Sequence, residues 1–122
     1  MLIIKADQAP ETGVNVPGVR NVTMRIVLGR KDNVPNFALR HFTLGKGGHS
    51  PHHKHNYEHE AYIVSGSGRL EFEGESHSLS AGDVVYIEPN AMHQFINTGE
   101  DDFCFLCIIP LEAEDGSPTP GS

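Results

Sequence analysis

Basic side chains, long apolar runs and helical periodicity are all scarce in this sequence. Nine Lys and Arg stand against 16 Asp and Glu, a formal net charge of -7, and the basic residues are scattered. A surface that tracks phosphates needs them clustered, so nothing favours DNA or RNA as a partner. No apolar run approaches the length of a membrane span, and the opening "MLIIKADQAP" is too short for the apolar region of a signal peptide. A cytoplasmic protein that does not engage a membrane is the expectation. Apolar residues at i, i+3, i+4 and i+7 do not persist beyond a turn or so, which excludes a helical bundle. Cysteine is limited to Cys104 and Cys107 in "FCFLCIIP". A C-x-x-C pair can be a redox motif or half a zinc site, but this one lies inside an apolar strand-like run, where positions three apart face opposite ways. Two buried thiols acting as small hydrophobes are expected.

Strand signals are present almost throughout. "NVTMRIVLG", "NFALRHFTL", "EAYIVSGSGRLEFEG", "DVVYIEP", "HQFINTG" and "DFCFLCIIP" are short runs rich in Val, Ile, Phe, Tyr and Leu, each closed by Gly, Pro, Asn or Asp. This predicts an all-β sandwich or barrel. "SGSG" at 65–68, "EGES" at 73–76 and "SAGD" at 80–83 supply the turns, because glycine adopts the positive φ that tight hairpins require. In "RLEFE", Leu70 and Phe72 alternate with Arg69, Glu71 and Glu73, so one side of that strand faces a core.

With 38% hydrophobic and 20% charged residues in 122, the composition is that of one globular domain, assigned here to residues 1–111. So small a chain gains from burying surface against a second copy, and a homodimer is expected. The tail from Glu112 to Ser122 holds no apolar residue larger than alanine and is expected to be disordered.

The chemistry concentrates in "SPHHKHNYEHE". Five of the eight histidines fall between His49 and His59. His53 and His55 are spaced H-x-H, so on extended chain their side chains leave the same face and can converge on one ion. His59 and Glu60 follow at the start of a strand, and His93 in "PNAMHQFIN" stands at the entrance of another. His49 and His52 lie in the loop before the pair, and His77 lies in a polar hairpin, all three solvated on this reading. His41 is open: it lines a pocket if the inward face of its strand carries Leu39, His41 and Thr43, and otherwise belongs to a surface or interface.

The pattern resembles the two motifs of the cupin superfamily. The first runs here as Gly47, five residues, His53-Lys54-His55, three residues, His59, six residues, Gly66. The second runs as Gly82, five residues, Glu88-Pro89-Asn90, two residues, His93, three residues, Asn97. Glu88 stands where the family has proline and Asn90 where it has glycine; asparagine tolerates the left-handed conformation, so the turn should survive. The family's glutamate ligand falls on His59 by the spacing to Gly66. A second register makes Glu60 the ligand, but it leaves only five residues before Gly66 and points His59 the other way.

The resemblance implies a single-domain jelly-roll barrel with a four-histidine site formed by His53, His55, His59 and His93. It implies a divalent first-row ion, manganese foremost, with Fe, Ni, Zn, Cu or Co as alternatives, since imidazole does not fix the metal. Four neutral ligands leave the ion its full charge, which suits a small anionic or enolic ligand. The implied activity is a decarboxylase-like or dioxygenase-like reaction on a small carboxylate or enol; the alternatives are a non-catalytic binding or sensing module, or a structural zinc site. Ala61, Ile63, Phe95, Asn97, Phe103 and Phe105 are expected around the site, with Phe37 and Tyr57 at its mouth and Glu58 and Glu60 turned away. Loss of metal is expected as pH falls through roughly 6.

Overall fold

A computed structural model describes residues 1–114. The period-2 patterns become strands: β1 (Glu11–Gly13), β2 (Arg20–Leu28), β3 (Phe37–His49), β4 (His59–Ser65), β5 (Ser67–Phe72), β6 (Glu75–Ser80), β7 (Val84–Ile87), β8 (His93–Asn97) and β9 (Phe103–Pro110). All pairings are antiparallel, in the order β6-β5-β8-β3-β9-β4-β7, with β2 on β3 and β1 on β2. The sheet curls on itself as an all-β, jelly-roll architecture.

β3 makes the curl possible, because its residues 37–44 pair with β9 whereas its last residue, His49, pairs with Ile96 of β8. The strand turns between those two pairings at Gly45–Gly48. There Leu44 lies opposite Val22 and His49 opposite Arg20, so the longer stretch of β3 bulges against β2. Gly47 sits at φ +72°, which an L side chain rarely adopts. His49 is therefore the end of a strand, not part of a loop: its ring Nδ1 lies 3.3 Å from the Gln94 amide nitrogen.

Of the three expected hairpin turns one joins paired strands; 65–68 and 80–83 connect β4 to β5 and β6 to β7, which are not neighbours in the sheet. Glu73 (φ 47°) and Gly74 (φ 82°) make the two-residue turn between β5 and β6, the left-handed pair that matches strand twist. Asn90 takes φ 68°, so the asparagine that replaces a glycine does adopt the left-handed form.

The interior is lined by alternate residues of the central strands: Ala61 and Ile63 of β4, Leu70 of β5, Phe95 of β8, and Phe103, Phe105, Cys107 and Ile109 of β9. Phe105 is the hinge of an aromatic stack, 4.5 Å from Phe95 and 5.4 Å from Phe42 between ring centroids. On β3 the interior face is Ala38, Arg40 and Leu44, all buried, with Phe42 packed against the core. The Leu39, His41, Thr43 face is the outer one, so His41 does not line the interior. The alternation of "FALRHFTL" permits either phase, and the bend into the core selects the one that buries Leu44.

The chain stays ordered past residue 111. Leu111–Ala113 form a 3-10 turn, Ala113 is buried, and Glu114 Oε1 accepts a hydrogen bond from the Arg30 amide at 2.6 Å. The remainder of the tail expected from Glu112, 115–122, lies outside the described residues.

Candidate metal centre

Four histidines come together, His59 and His93 as first residues of strands and His53 and His55 through backbone hydrogen bonds. His59 is the first residue of β4 and points inward because Ala61 and Ile63, at the same phase, are core. His93 opens β8 in the same way ahead of Phe95 and Asn97. His53 is fixed to it by a two-way bridge: its amide donates to the His93 carbonyl at 3.0 Å, and the His93 amide donates back at 2.9 Å. His55 is tied through its carbonyl, which accepts from the amide of left-handed Asn90 at 2.7 Å.

The rings converge. Centroids are 5.2 Å apart for His53 and His55, 5.0 Å for His53 and His93, 5.0 Å for His55 and His93, and 4.9 Å from His59 to each of His55 and His93. His53, His55 and His93 each present a ring nitrogen within 4.8 Å of the others. His59 joins through its Nε2, 3.2 Å from His93 Nε2.

The hydrogen bonds behind the rings define which nitrogen is available. His55 Nδ1 lies 2.8 Å from the Tyr57 carbonyl, and His93 Nδ1 lies 2.8 Å from the Ala91 carbonyl. A carbonyl only accepts, so each Nδ1 carries the hydrogen and each Nε2 presents a lone pair. His59 Nδ1 is 3.0 Å from the Cys107 sulfur. If that nitrogen also donates, two Nε2 lone pairs face each other at 3.2 Å, an arrangement that a cation between them would relieve. The close ligand atoms of His53, His55 and His93 fit a first-row divalent ion, with His55 and His93 oriented from behind by carbonyls and His59 beside them.

Electrostatics keep the rings neutral. Burial lowers the pKa of His53 and of His55 to about 4, with the charge of neighbouring His93 acting the same way. Burial also pushes His59 well below its ordinary value and lowers His93. Such groups are ready ligands at neutral pH, and the pH at which protons displace an ion shifts downward from the range of free histidine.

The surroundings divide the expected lining in two. Phe95 meets the edges of both His59 and His93 at 6.4 Å, and Tyr57 stacks on His55 at 3.9 Å and 7°. Asn97, though buried, spends its side chain on the backbone: its amide nitrogen donates to Leu44, Gly45 and Asp101 carbonyls, and its oxygen accepts from the Gly99 amide. It clamps β8 to the bend of β3 and does not line the site. Phe37 is exposed on the outer surface, beside Glu58, Glu60 and Ile108, away from the rings. Glu58 and Glu60 are exposed while His59 between them is buried.

Arg40, which the sequence reading did not single out, and Cys107, which it took for a small hydrophobe like Cys104, belong here; of the two thiols expected to be buried, only Cys107 is. Cys107 faces inward and Cys104 does not, so the former is a contact of His59 as well as a core residue. Arg40 lies opposite Cys107 in the β3–β9 pairing, with Nη2 3.9 Å from its sulfur. The signal available for Arg40 was its alternation with Ala38, Phe42 and Leu44.

Comparison with known proteins gives a consistent result. The Cupin domain family matches residues 40–109. An oxalate-binding protein of Thermotoga maritima is 30% identical over 114 residues, covering 91% of this chain and 94% of its own length. A 1-methylthio-D-xylulose 5-phosphate methylsulfurylase of Rhodospirillum rubrum is 28% identical over 95 residues, 78% of this chain, which spans only 60% of that longer protein. Among solved structures, a polyketide cyclase of Streptomyces resistomycificus superposes with a TM-score of 0.85 at 26% identity, covering 91% of this chain and 80% of that one.

Proposed function

The chain belongs to the cupin family, and from that premise we propose that it holds a divalent metal ion on His53, His55, His59 and His93 and acts on a small carboxylate or enol. The observation that carries this reading is the convergence of half-buried His53 with buried His55, His59 and His93, the last three backed at their rear nitrogens by two carbonyls and a thiol. A bound ion of this kind supplies a Lewis-acid centre that stabilises negative charge on oxygen. Manganese is the proposed metal, with Fe, Ni, Zn, Cu and Co as the competitors that imidazole also accepts.

The protein's own contribution is orientation and exclusion of water. The bridge between His53 and His93 sets two rings at once, and the Tyr57 stack holds a third. Phe95, with Phe105 behind it, makes the floor apolar, which strengthens any charge interaction above it. The group of mutually close ligand atoms contains no carboxylate among the described residues. Proton transfer therefore falls to a bound water or to the substrate itself, and oxalate-like decarboxylation and oxygen-dependent cleavage are the two reactions to test.

A second reading is a non-catalytic module that binds or senses a small anion. The absence of a carboxylate from the group of mutually close ligand atoms among the described residues favours it, and so does the similarity to a protein described as oxalate-binding. Elemental analysis of tag-free protein, followed by turnover and oxygen uptake across a panel of small acids and enols, separates the two. Turnover supports the enzyme; tight binding without turnover supports the module; absence of any stoichiometric divalent ion sinks both.

The finer expectations of a homodimer and a cytoplasmic location form part of this proposal. Tyr62, Val84, Tyr86 and Ile108 are exposed apolar side chains, and β7 is the last strand in the sheet order. That surface suits a second copy of the chain. Among the described residues no helix is long and apolar enough to cross a membrane.

A further inference from the structure

Phe37 takes no part in the metal centre, and its ring stands 65% exposed on the outer surface. Two hollows flank it. One is lined by Ile108 and Pro110 together with Glu58 and Glu60, the other by Leu28, Val34, Pro35 and Leu39. Phe37 and Ile108 belong to both, so the hollows adjoin as one groove with an apolar floor and two carboxylates at one end. Neither glutamate is paired with a cation in the ion pairs found among the described residues. Glu60 lies between Ile108 and Tyr86 in the sheet, which makes the groove continuous with exposed Tyr62, Val84 and Tyr86.

A partner for such a groove must bring apolar side chains and a positive charge, and the opening segment of this chain brings both. It reads Met1-Leu2-Ile3-Ile4-Lys5, and its four apolar side chains are all exposed, Ile3 to 86%. Lys5 is exposed too and makes no ion pair in those found among the described residues. The segment is held at its base: Ala9 is buried, and Arg25 Nη1 donates to the Asp7 carbonyl at 3.1 Å and to the Ala9 carbonyl. An apolar run left in water beside a fixed anchor marks an interaction element. It lies off the groove of its own chain, as the exposure of Ile3 and Phe37 shows. Residues 115–122, DGSPTPGS, bring an aspartate and no large apolar group, so they do not match the groove. Groove against groove fails as well, because a two-fold contact centred there sets each glutamate pair against its own copy.

We propose that the groove beside Phe37 receives the Met1–Lys5 segment of a second copy of the chain, with the isoleucines against Phe37 and Ile108 and Lys5 paired with Glu58 and Glu60. This rests on the homodimer reading above and names the parts that meet. The exchange is reciprocal: each copy lends its segment and offers its groove, which closes a two-fold pair and leaves neither element uncovered. Apolar contact at the centre supplies affinity, and the charges at the rim set register.

Sedimentation velocity over a concentration series tests this on wild type, on the double variant Ile3→Asp/Ile4→Asp, on Lys5→Glu, on Glu60→Lys, and on an equimolar mixture of the last two. The double variant should weaken dimerisation about tenfold or more. Lys5→Glu and Glu60→Lys should each weaken it about threefold or more. Their mixture should return to the wild-type dissociation constant, because each segment then meets a groove of opposite charge only in the other chain. Far-UV circular dichroism should stay that of wild type throughout, since every substituted position is exposed. A wild-type dimer that none of these changes moves would overturn the assignment and leave the homodimer to another surface. Weakening in both charge variants without recovery on mixing would overturn it too, since Lys5 and Glu60 would then not meet across the pair. Wild-type protein that stays monomeric at about 1 mM would sink the homodimer reading and this one with it.

Discussion

The sulfur of Cys107 stands 3.0 Å behind Nδ1 of His59, where His55 and His93 each have a backbone carbonyl. Burial raises the pKa of this thiol, so it is uncharged at neutral pH. It orients His59 by contact and by a weak hydrogen bond, and it cannot compete with imidazole as a thiolate ligand. Cys107→Ala should therefore lower divalent-metal affinity by about 10–100-fold, the usual effect of removing a group that orients a ligand. Cys107→Ser should lose less, because its hydroxyl can still accept from Nδ1. Competition against a chelator of known affinity reads both, with urea unfolding of metal-free protein to separate loss of orientation from loss of packing.

His59 and Glu60 point to opposite faces of β4: His59 is buried beside His93, whereas Glu60 is exposed and lies opposite Tyr86 and Ile108. His59→Ala should cut metal binding severely, and Glu60→Ala should leave it within about threefold, as expected of an exposed site away from the ligands. Inductively coupled plasma mass spectrometry on the two purified variants decides the register. Equal losses would mean that the carboxylate reaches the ion.

Why the fold was legible in the sequence and part of the site was not comes down to alternation. β4, β8 and β9 alternate apolar with polar or less buried positions, and Gly66, Gly74 and Gly82 mark the reversals with positive φ. His53, His55 and His59 are neighbours in sequence, whereas His93 is met in a second motif and reaches them through its bridge to His53. Arg40 and Cys107 are hidden. Each looks ordinary within its own strand, and only the cross-strand pairing of β3 with β9 sets them side by side. His41 shows the same limit: a strand with apolar residues on both faces does not say which face is inside. Asn97 occupies a motif position, but its role as a backbone clamp depends on the bend in β3, which only Gly47 and its neighbours foreshadow.

Asn97→Ala should destabilise the fold without touching a ligand. Its amide nitrogen serves Leu44 at 2.9 Å, Gly45 at 3.1 Å and Asp101 at 2.9 Å, while its oxygen holds the Gly99 amide at 2.8 Å. Removing it leaves buried carbonyls without a donor, which costs about 2–4 kcal/mol when more than one partner is orphaned. Urea unfolding of metal-free protein should show a lower midpoint with an unchanged slope. Asn97→Asp should do no better, because a carboxylate cannot donate to three carbonyls.

Acid should act on the metal-free fold before it acts on the metal. His53 and His55 have pKa values of about 4 in the folded protein against an ordinary 6.5, so between those limits the unfolded chain binds more protons. Stability therefore falls as pH drops from 6.5 toward 4 and loses nothing further from these two groups below that window. His59 and His93, shifted the same way by burial, steepen the fall. With metal bound the order reverses in practice, because protons must reach rings whose own affinity for them is already low. Melting temperatures of metal-free protein should decline steadily from pH 7 to pH 4, while protein loaded with manganese should keep its ion at pH 6, where free histidine would be largely protonated. Thermal melts and elemental analysis along the same pH series check both halves. A metal-free melting temperature that stays flat across the window would mean that the imidazoles are not desolvated as the geometry requires.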